Sequence, residues 1–151
     1  MSDSRTLFTE EAITDAVKSL LAGRVNELLG ELPFAIPLIE FGDYSGGDVV
    51  VPAIALVSCE RTEKERIIRL DAYSLTISFR IPETPESEMH CYAYASFVCT
   101  ALLENQTLNG IVDRAVITAK KYVPPKKPGC GQGWEVVLTL RVMVEGNIYA
   151  R

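Results

Sequence analysis

The stretch G-W-E-V-V-L-T-L-R-V-M-V-E (Gly133–Glu145) constrains this chain more than any other. Its period is two. Trp134, Val136, Leu138, Leu140, Val142 and Val144 fall on one side, and Glu135, Val137, Thr139, Arg141, Met143 and Glu145 on the other. That alternation predicts a strand with one face committed to a core. At about 3.3 Å per residue it spans about 40 Å, far beyond the common length of about five or six residues. A strand this long needs an equally long neighbour. Asp71–Ile81 supplies it, with Tyr73, Leu75, Ile77, Phe79 and Ile81 on one face and Ala72, Ser74, Thr76, Ser78 and Arg80 on the other.

The chain has 151 residues, of which 48% are hydrophobic and 23% charged, so a single domain with its core in about 10–146 is expected. The formal net charge of −5 argues against nucleic acid as an affinity partner, because that requires a basic footprint. The N-terminus, M-S-D-S-R-T-L-F-T-E-E, shows no basic segment followed by an apolar one, so no signal peptide is expected. No apolar run reaches the length of a membrane span. Cys59, Cys91, Cys99 and Cys130 have no C-x-x-C spacing and read as reduced thiols, the first three in apolar company.

Taken in order, the first element is a helix over about Glu10–Leu29. Its apolar residues recur at three and four, Gly30 and Pro33 end it, and Gly23 marks a break or a close approach. Ala35–Phe41 is extended and leads into a turn-rich loop. Val49–Cys59 is the next strand; Ala53–Val57 is apolar on both faces, which places it centrally in the sheet. Glu60–Arg69 (E-R-T-E-K-E-R-I-I-R) reads as a charged hairpin loop before the long strand. Thr84 and Pro85 then open a second helix. From Met89 to Leu103 that helix holds no acidic residue, no Lys and no Arg. A helix apolar all round is expected to be covered all round. Within a two-layer domain the extra cover comes from the first helix or from another copy of the chain. Leu108-Asn109-Gly110 is a turn, and Ile111–Val123 is a strand that hands over to a loop rich in Pro, Gly and Lys. The order α-β-β-β-α-β-β predicts an α+β domain with a mostly antiparallel four- to five-stranded sheet packed against two helices.

No catalytic, cofactor-binding or metal motif is present. Gly129-x-Gly131-x-Gly133 precedes a strand rather than a helix N-terminus, so it reads as a turn and not as a phosphate cradle. His90 is the single histidine and has no ligand at chelating spacing. Cys130 sits in a basic loop without a base nearby in sequence.

With the strands placed, the pattern resembles the tail terminator proteins of long-tailed bacteriophages, the lambda-like tails and their relatives. The features that carry it are an amphipathic N-terminal helix and P-A-I-A-L (Pro52–Leu56) entering a strand. A charged loop then leads to D-A-Y-S-L-T-I-S-F-R-I-P (Asp71–Pro82). After an acidic helix start come L-N-G-I-V (Leu108–Val112) and the final G-W-E-V-V-L-T-L-R-V (Gly133–Val142). The resemblance spans Glu11–Glu145 apart from Pro124–Gly131.

It implies a structural virion protein that forms a homo-oligomeric, hexameric ring. Such a ring caps the head-proximal end of the tail tube and stops tube polymerisation. It also offers a surface to the head–tail connector, or head completion protein. DNA passes through the lumen without specific binding. Assembly takes place in the bacterial cytoplasm. No enzyme activity, cofactor, metal or membrane partner is implied. On this reading Arg61, Glu63, Lys64 and Arg66, with Met89, Tyr94 and Val98, are the candidate subunit contacts. Lys120, Lys126 and Lys127 are the candidate tail or connector contacts. The alternatives are another neck or tail-completion protein, or a small α+β ligand-binding domain with His90, Tyr92, Tyr94 and Ser96 as its polar cluster.

Overall fold

The computed structural model describes residues 8–42, 49–64, 68–127, 129 and 131–147. The first helical rod is α1 (Thr9–Leu20), a π-helical stretch (Leu21–Val25) and α2 (Asn26–Gly30), joined through helical backbone at every junction. Ile13, Val17, Leu20, Leu21, Val25 and Leu29 form its buried stripe. Gly23 lies inside the π-helical stretch, and a Cβ there meets nothing within 4 Å. It therefore marks a break and not a close approach. Asn26 uses the widened turn. Its amide donates to the Ala22 and Ile39 carbonyls at 3.0 and 2.8 Å, and its oxygen accepts from the Ile39 N–H at 2.8 Å.

Ile39 belongs to β1 (Leu38–Ile39), which pairs in parallel with β2 (Val49–Val50). Pro52, lacking an N–H, separates β2 from β3 (Ala53–Lys64). The chain returns as β4 (Ile68–Pro82), crosses through α3 (Ser87–Glu104), and ends in β5 (Arg114–Val123) and β6 (Gln132–Asn147). The main sheet is antiparallel with order β3-β4-β6-β5. This is the α+β architecture expected from the pattern, with the small parallel pair as an addition.

Three details differ from expectation. Glu60–Lys64 and Ile68–Arg69 are not loop but strand, so the β3–β4 hairpin runs on to the pair Lys64↔Ile68. Its charged residues Glu60, Arg61 and Glu63 stand exposed on paired strand rather than in a loop. Second, β3 is an edge strand and not a central one. Ile54 and Leu56 still pack against the core, while Val57 lies on the open margin. Third, α3 begins at Ser87: Thr84 builds the preceding turn, accepting from the Glu86 N–H at 3.2 Å, and does not cap the helix.

The core lies between the helices and one face of the sheet. Tyr73, Leu75, Ile77, Phe79 and Ile81 of β4 meet Val136, Leu138, Leu140 and Val142 of β6, all buried. Each such aliphatic or aromatic side chain contributes about 1.5–3 kcal/mol on burial. β4 and β6 stay in register from Ile68↔Asn147 to Arg80↔Glu135, which is the long pairing the alternation demands. The turn after α3 uses three successive left-handed residues, Leu108, Asn109 and Gly110. Asn105 holds it by accepting from the Asn109 N–H at 2.9 Å, while Leu108 turns inward.

Candidate functional site

The fold leaves four surfaces open as candidates for contact, and the outside of α3 is the first. Cys91, Tyr94, Ala95, Val98, Ala101 and Leu102 face the core. Burial pushes the Cys91 thiol up to about 11 and keeps it protonated. The opposite stripe is Met89, Tyr92, Ser96, Cys99 and Leu103, spaced alternately by three and four, the rhythm of a helix–helix seam. Within the chain this seam stays uncovered: Met89 is 44% exposed, Tyr92 46% and Leu103 69%. Tyr92 leans on Tyr122 of β5, edge to face at 5.4 Å, which ties the seam to the β5 edge of the sheet.

Tyr94 and Val98, expected at a subunit interface, are fully buried by their own chain and leave nothing for a neighbour to touch. The Tyr94 ring stacks on Phe79 at 4.8 Å, and its hydroxyl donates to the Pro37 carbonyl at 2.6 Å. The error has a simple source. With apolar residues on every side of α3, the core stripe and the outer stripe look alike in sequence. The buried stripe 91-94-98-101 has the same spacing as the outer stripe 89-92-96-99, so rhythm does not separate them.

The second open surface is the β3 edge. A bulge between Leu56 and Ser58 turns Val57 outward, 62% exposed. Cys59 is exposed here too, contrary to its reading as a core thiol. The N-terminus of α1 touches this strand and carries Phe8, 64% exposed, with Glu10 and Glu11 on its first turn. Burial, and after it the charge of Glu10, push the Tyr73 hydroxyl up to about 12.

Arg61 is not free for a neighbour. Its guanidinium grips the buried Asp71 carboxylate through two hydrogen bonds, Nε at 2.7 Å and Nη2 at 3.1 Å. Arg69 adds its charge at 3.4 Å without a hydrogen bond from Nε. Glu63 is exposed and paired in register with Arg69. The backbone of Lys64 ends β3, and Arg66 lies outside the described residues.

The third surface is the sheet face that no helix covers. Ser74, Thr76 and Ser78 of β4 and Val137 and Thr139 of β6 form its half-buried middle. Arg141 meets Glu60 at 3.2 Å and Arg80 meets Glu135 at 3.6 Å, while Arg114 and Lys121, opposite Met143 and Val137 on the same face, have no acidic partner among the described residues. The face is rich in hydroxyls, and its unmatched cations stand at the β5 edge.

The fourth is the end of the sheet beyond Val123. Lys126 and Lys127 are exposed there, and Lys126 borders an open cleft of about 500 Å³ with Trp134, Pro124 and Pro125. Lys120 stands apart from them on the β5 edge. The glycine loop holds no outside anion in this arrangement, since the Gly129 and Gly131 N–H groups both donate to the Glu83 carboxylate at 3.0 Å. These bonds lower the Glu83 pKa. A carboxylate depressed in the folded state holds its loop above its unfolded pKa and releases it as pH falls through the lower folded value. The Gly131 amide resonance should therefore shift with a midpoint below the ordinary glutamate range of about 4.3. A midpoint at or above that range, or no change in Glu83→Gln, would contradict the bond.

The polar residues of a ligand-binding reading do not converge. His90 stacks on Phe34 and burial lowers its pKa, while Tyr94 points inward and Tyr92 and Ser96 outward. Among the described residues no group of three His, Cys, Asp or Glu is placed to hold a metal ion. None of their helices is long and apolar enough to cross a membrane. No protein-family model matches the chain and no curated protein aligns with it.

Proposed function

We propose that this protein is a structural component of a phage-type tail. On this reading, copies form a hexameric ring that caps the head-proximal end of the tail tube, ends its growth and presents a surface to the head connector. The uncovered α3 seam carries the proposal. Three large apolar side chains exposed along one outer stripe, Met89, Tyr92 and Leu103, with Ser96 and the half-buried Cys99 between them, make a surface that asks for a protein partner. A neighbour in a ring supplies that cover at every position without leaving an open end.

The uncovered sheet face supports the same reading. A face whose middle is hydroxyls and ion pairs, with Arg114 and Lys121 only at its β5 margin, suits a wall that DNA slides past, because most of it offers no free cation to the phosphates. Lys126 and Lys127, at the sheet end, suit a contact with the next layer of the particle.

The test is to add the purified protein to polymerising tail-tube subunits. The expected result is tubes of arrested length with a ring at one end. Tubes that elongate as freely as without it, with bare ends, would overturn the proposal.

A further inference from the structure

The two apolar surfaces lie at opposite margins of one sheet. The α3 seam stands beside β5, and Val57 and Phe8 stand at β3, with β4 and β6 between them. They cannot cover each other within a chain. Resting on the ring reading above, we infer that copies of this protein join head to tail, the α3 seam and β5 edge of one docking against the β3 edge of the next.

Charge chooses this arrangement over a two-fold dimer. Arg114, Lys120 and Lys121 are exposed on β5, and among the described residues none has an acidic partner within ion-pair distance. The β3 margin carries Glu10 and Glu11 on the first turn of α1, exposed and without a cationic partner among the described residues. Head-to-tail docking sets these cations against these anions. A two-fold pairing of α3 seams sets the β5 cations against their own copies and leaves Val57 and Phe8 in water. Opposite potentials across an interface mainly favour the right register and suppress the wrong one, which is what a repeating junction needs.

The junction is made by side chains and not by strand addition. Both edges are bulged, β3 at Leu56/Ser58 and β5 at Ile117/Ala119, and β5 carries two adjacent lysines. Bulges and edge lysines are the devices that discourage backbone pairing. They do not impede packing of Val57 and Phe8 against Leu103 and Met89. Lys120 thereby moves from the tail or connector contacts to the junction between copies.

The test uses two surface variants of the full chain, Val57→Asp and Leu103→Asp. Both residues are more than half exposed, so circular dichroism should report unchanged folding. Each variant alone has one working face and one blocked face, and head-to-tail copies of it cannot join. The expected mass of each alone is that of a single chain. Mixed together, the intact β3 edge of Leu103→Asp meets the intact seam of Val57→Asp. The mixture should then give one heterodimer and nothing larger, captured by zero-length carbodiimide cross-linking of lysine to carboxylate. Val57→Asp that still dimerises by itself would show seam-to-seam pairing and overturn the inference. So would a mixture that stays monomeric. If the unaltered chain forms rings and both variants still do, this inference falls while the ring reading stands. If the unaltered chain never associates, both fall.

Discussion

Replacing Phe79 with Ala is expected to destabilise the protein by about 3–5 kcal/mol, the usual cost of deleting a fully buried aromatic ring. Phe79 is wholly buried on the inner face of β4. Its ring lies nearly parallel to that of Tyr94, 4.8 Å away on α3. Tyr94 in turn reaches the Pro37 carbonyl, just before β1. One deletion therefore loosens three elements: the sheet, the helix it carries and the segment that follows the first rod. A domain of this kind is stable by only about 5–15 kcal/mol, so the variant should sit near the edge of folding. Urea unfolding followed by circular dichroism would read this as a large fall in midpoint with the slope unchanged. A loss below about 1 kcal/mol would mean that the pocket between β4 and α3 collapses onto the gap. Because α3 rests on this contact, association should weaken alongside stability, whereas Leu103→Asp should lower association alone.

Gly133→Ala is the second large effect. Gly133 opens β6 where β4 ends, beside the register shift at Arg80/Pro82. A Cβ there would press into the Ile81 carbonyl oxygen and stand 2.7 Å from the Pro82 carbonyl. The obstacle is backbone, which cannot swing aside as a side-chain tip can. We expect a loss of about 2–4 kcal/mol, in the range of severe overpacking. Gly23→Ala is the matched control. It lies in the exposed π-helical stretch with open space around it, so Ala should stabilise by about 0.4–1 kcal/mol through a less disordered unfolded chain. Equal effects at the two sites, read from thermal midpoints, would refute the clash.

These two glycines show where sequence reading runs out. Gly23 interrupts an obvious helix and is conspicuous, yet its surroundings are empty. Gly133 merely starts a strand and is inconspicuous, yet it is tightly enclosed. Only the approach of β4 distinguishes them. The period-two runs of β4 and β6 were legible because long alternation has one physical solution. The edge position of β3 was not. A strand apolar on both faces fits the centre of a sheet, and it equally fits a margin that another chain covers. The α3 helix posed the same ambiguity. Its composition announced too much apolar surface for one chain, and that surplus stands on the outer seam. Composition does not say which residues face in: Tyr94 and Val98 are buried and Tyr92 and Leu103 exposed, although all four are alike in apolar character. Arg61 was misread because its partner, Asp71, is ten positions away and meets it only through the strand register Arg61↔Asp71.

In the proposed assembly the outer α3 seam and the β3 margin are two halves of one repeated contact between copies. Negative-stain images of the purified, unaltered protein, with its mass measured on the same sample, test this most directly. Closed rings of a single size are the predicted result. A species with the mass of one chain at every concentration, and no rings in any field, would contradict it.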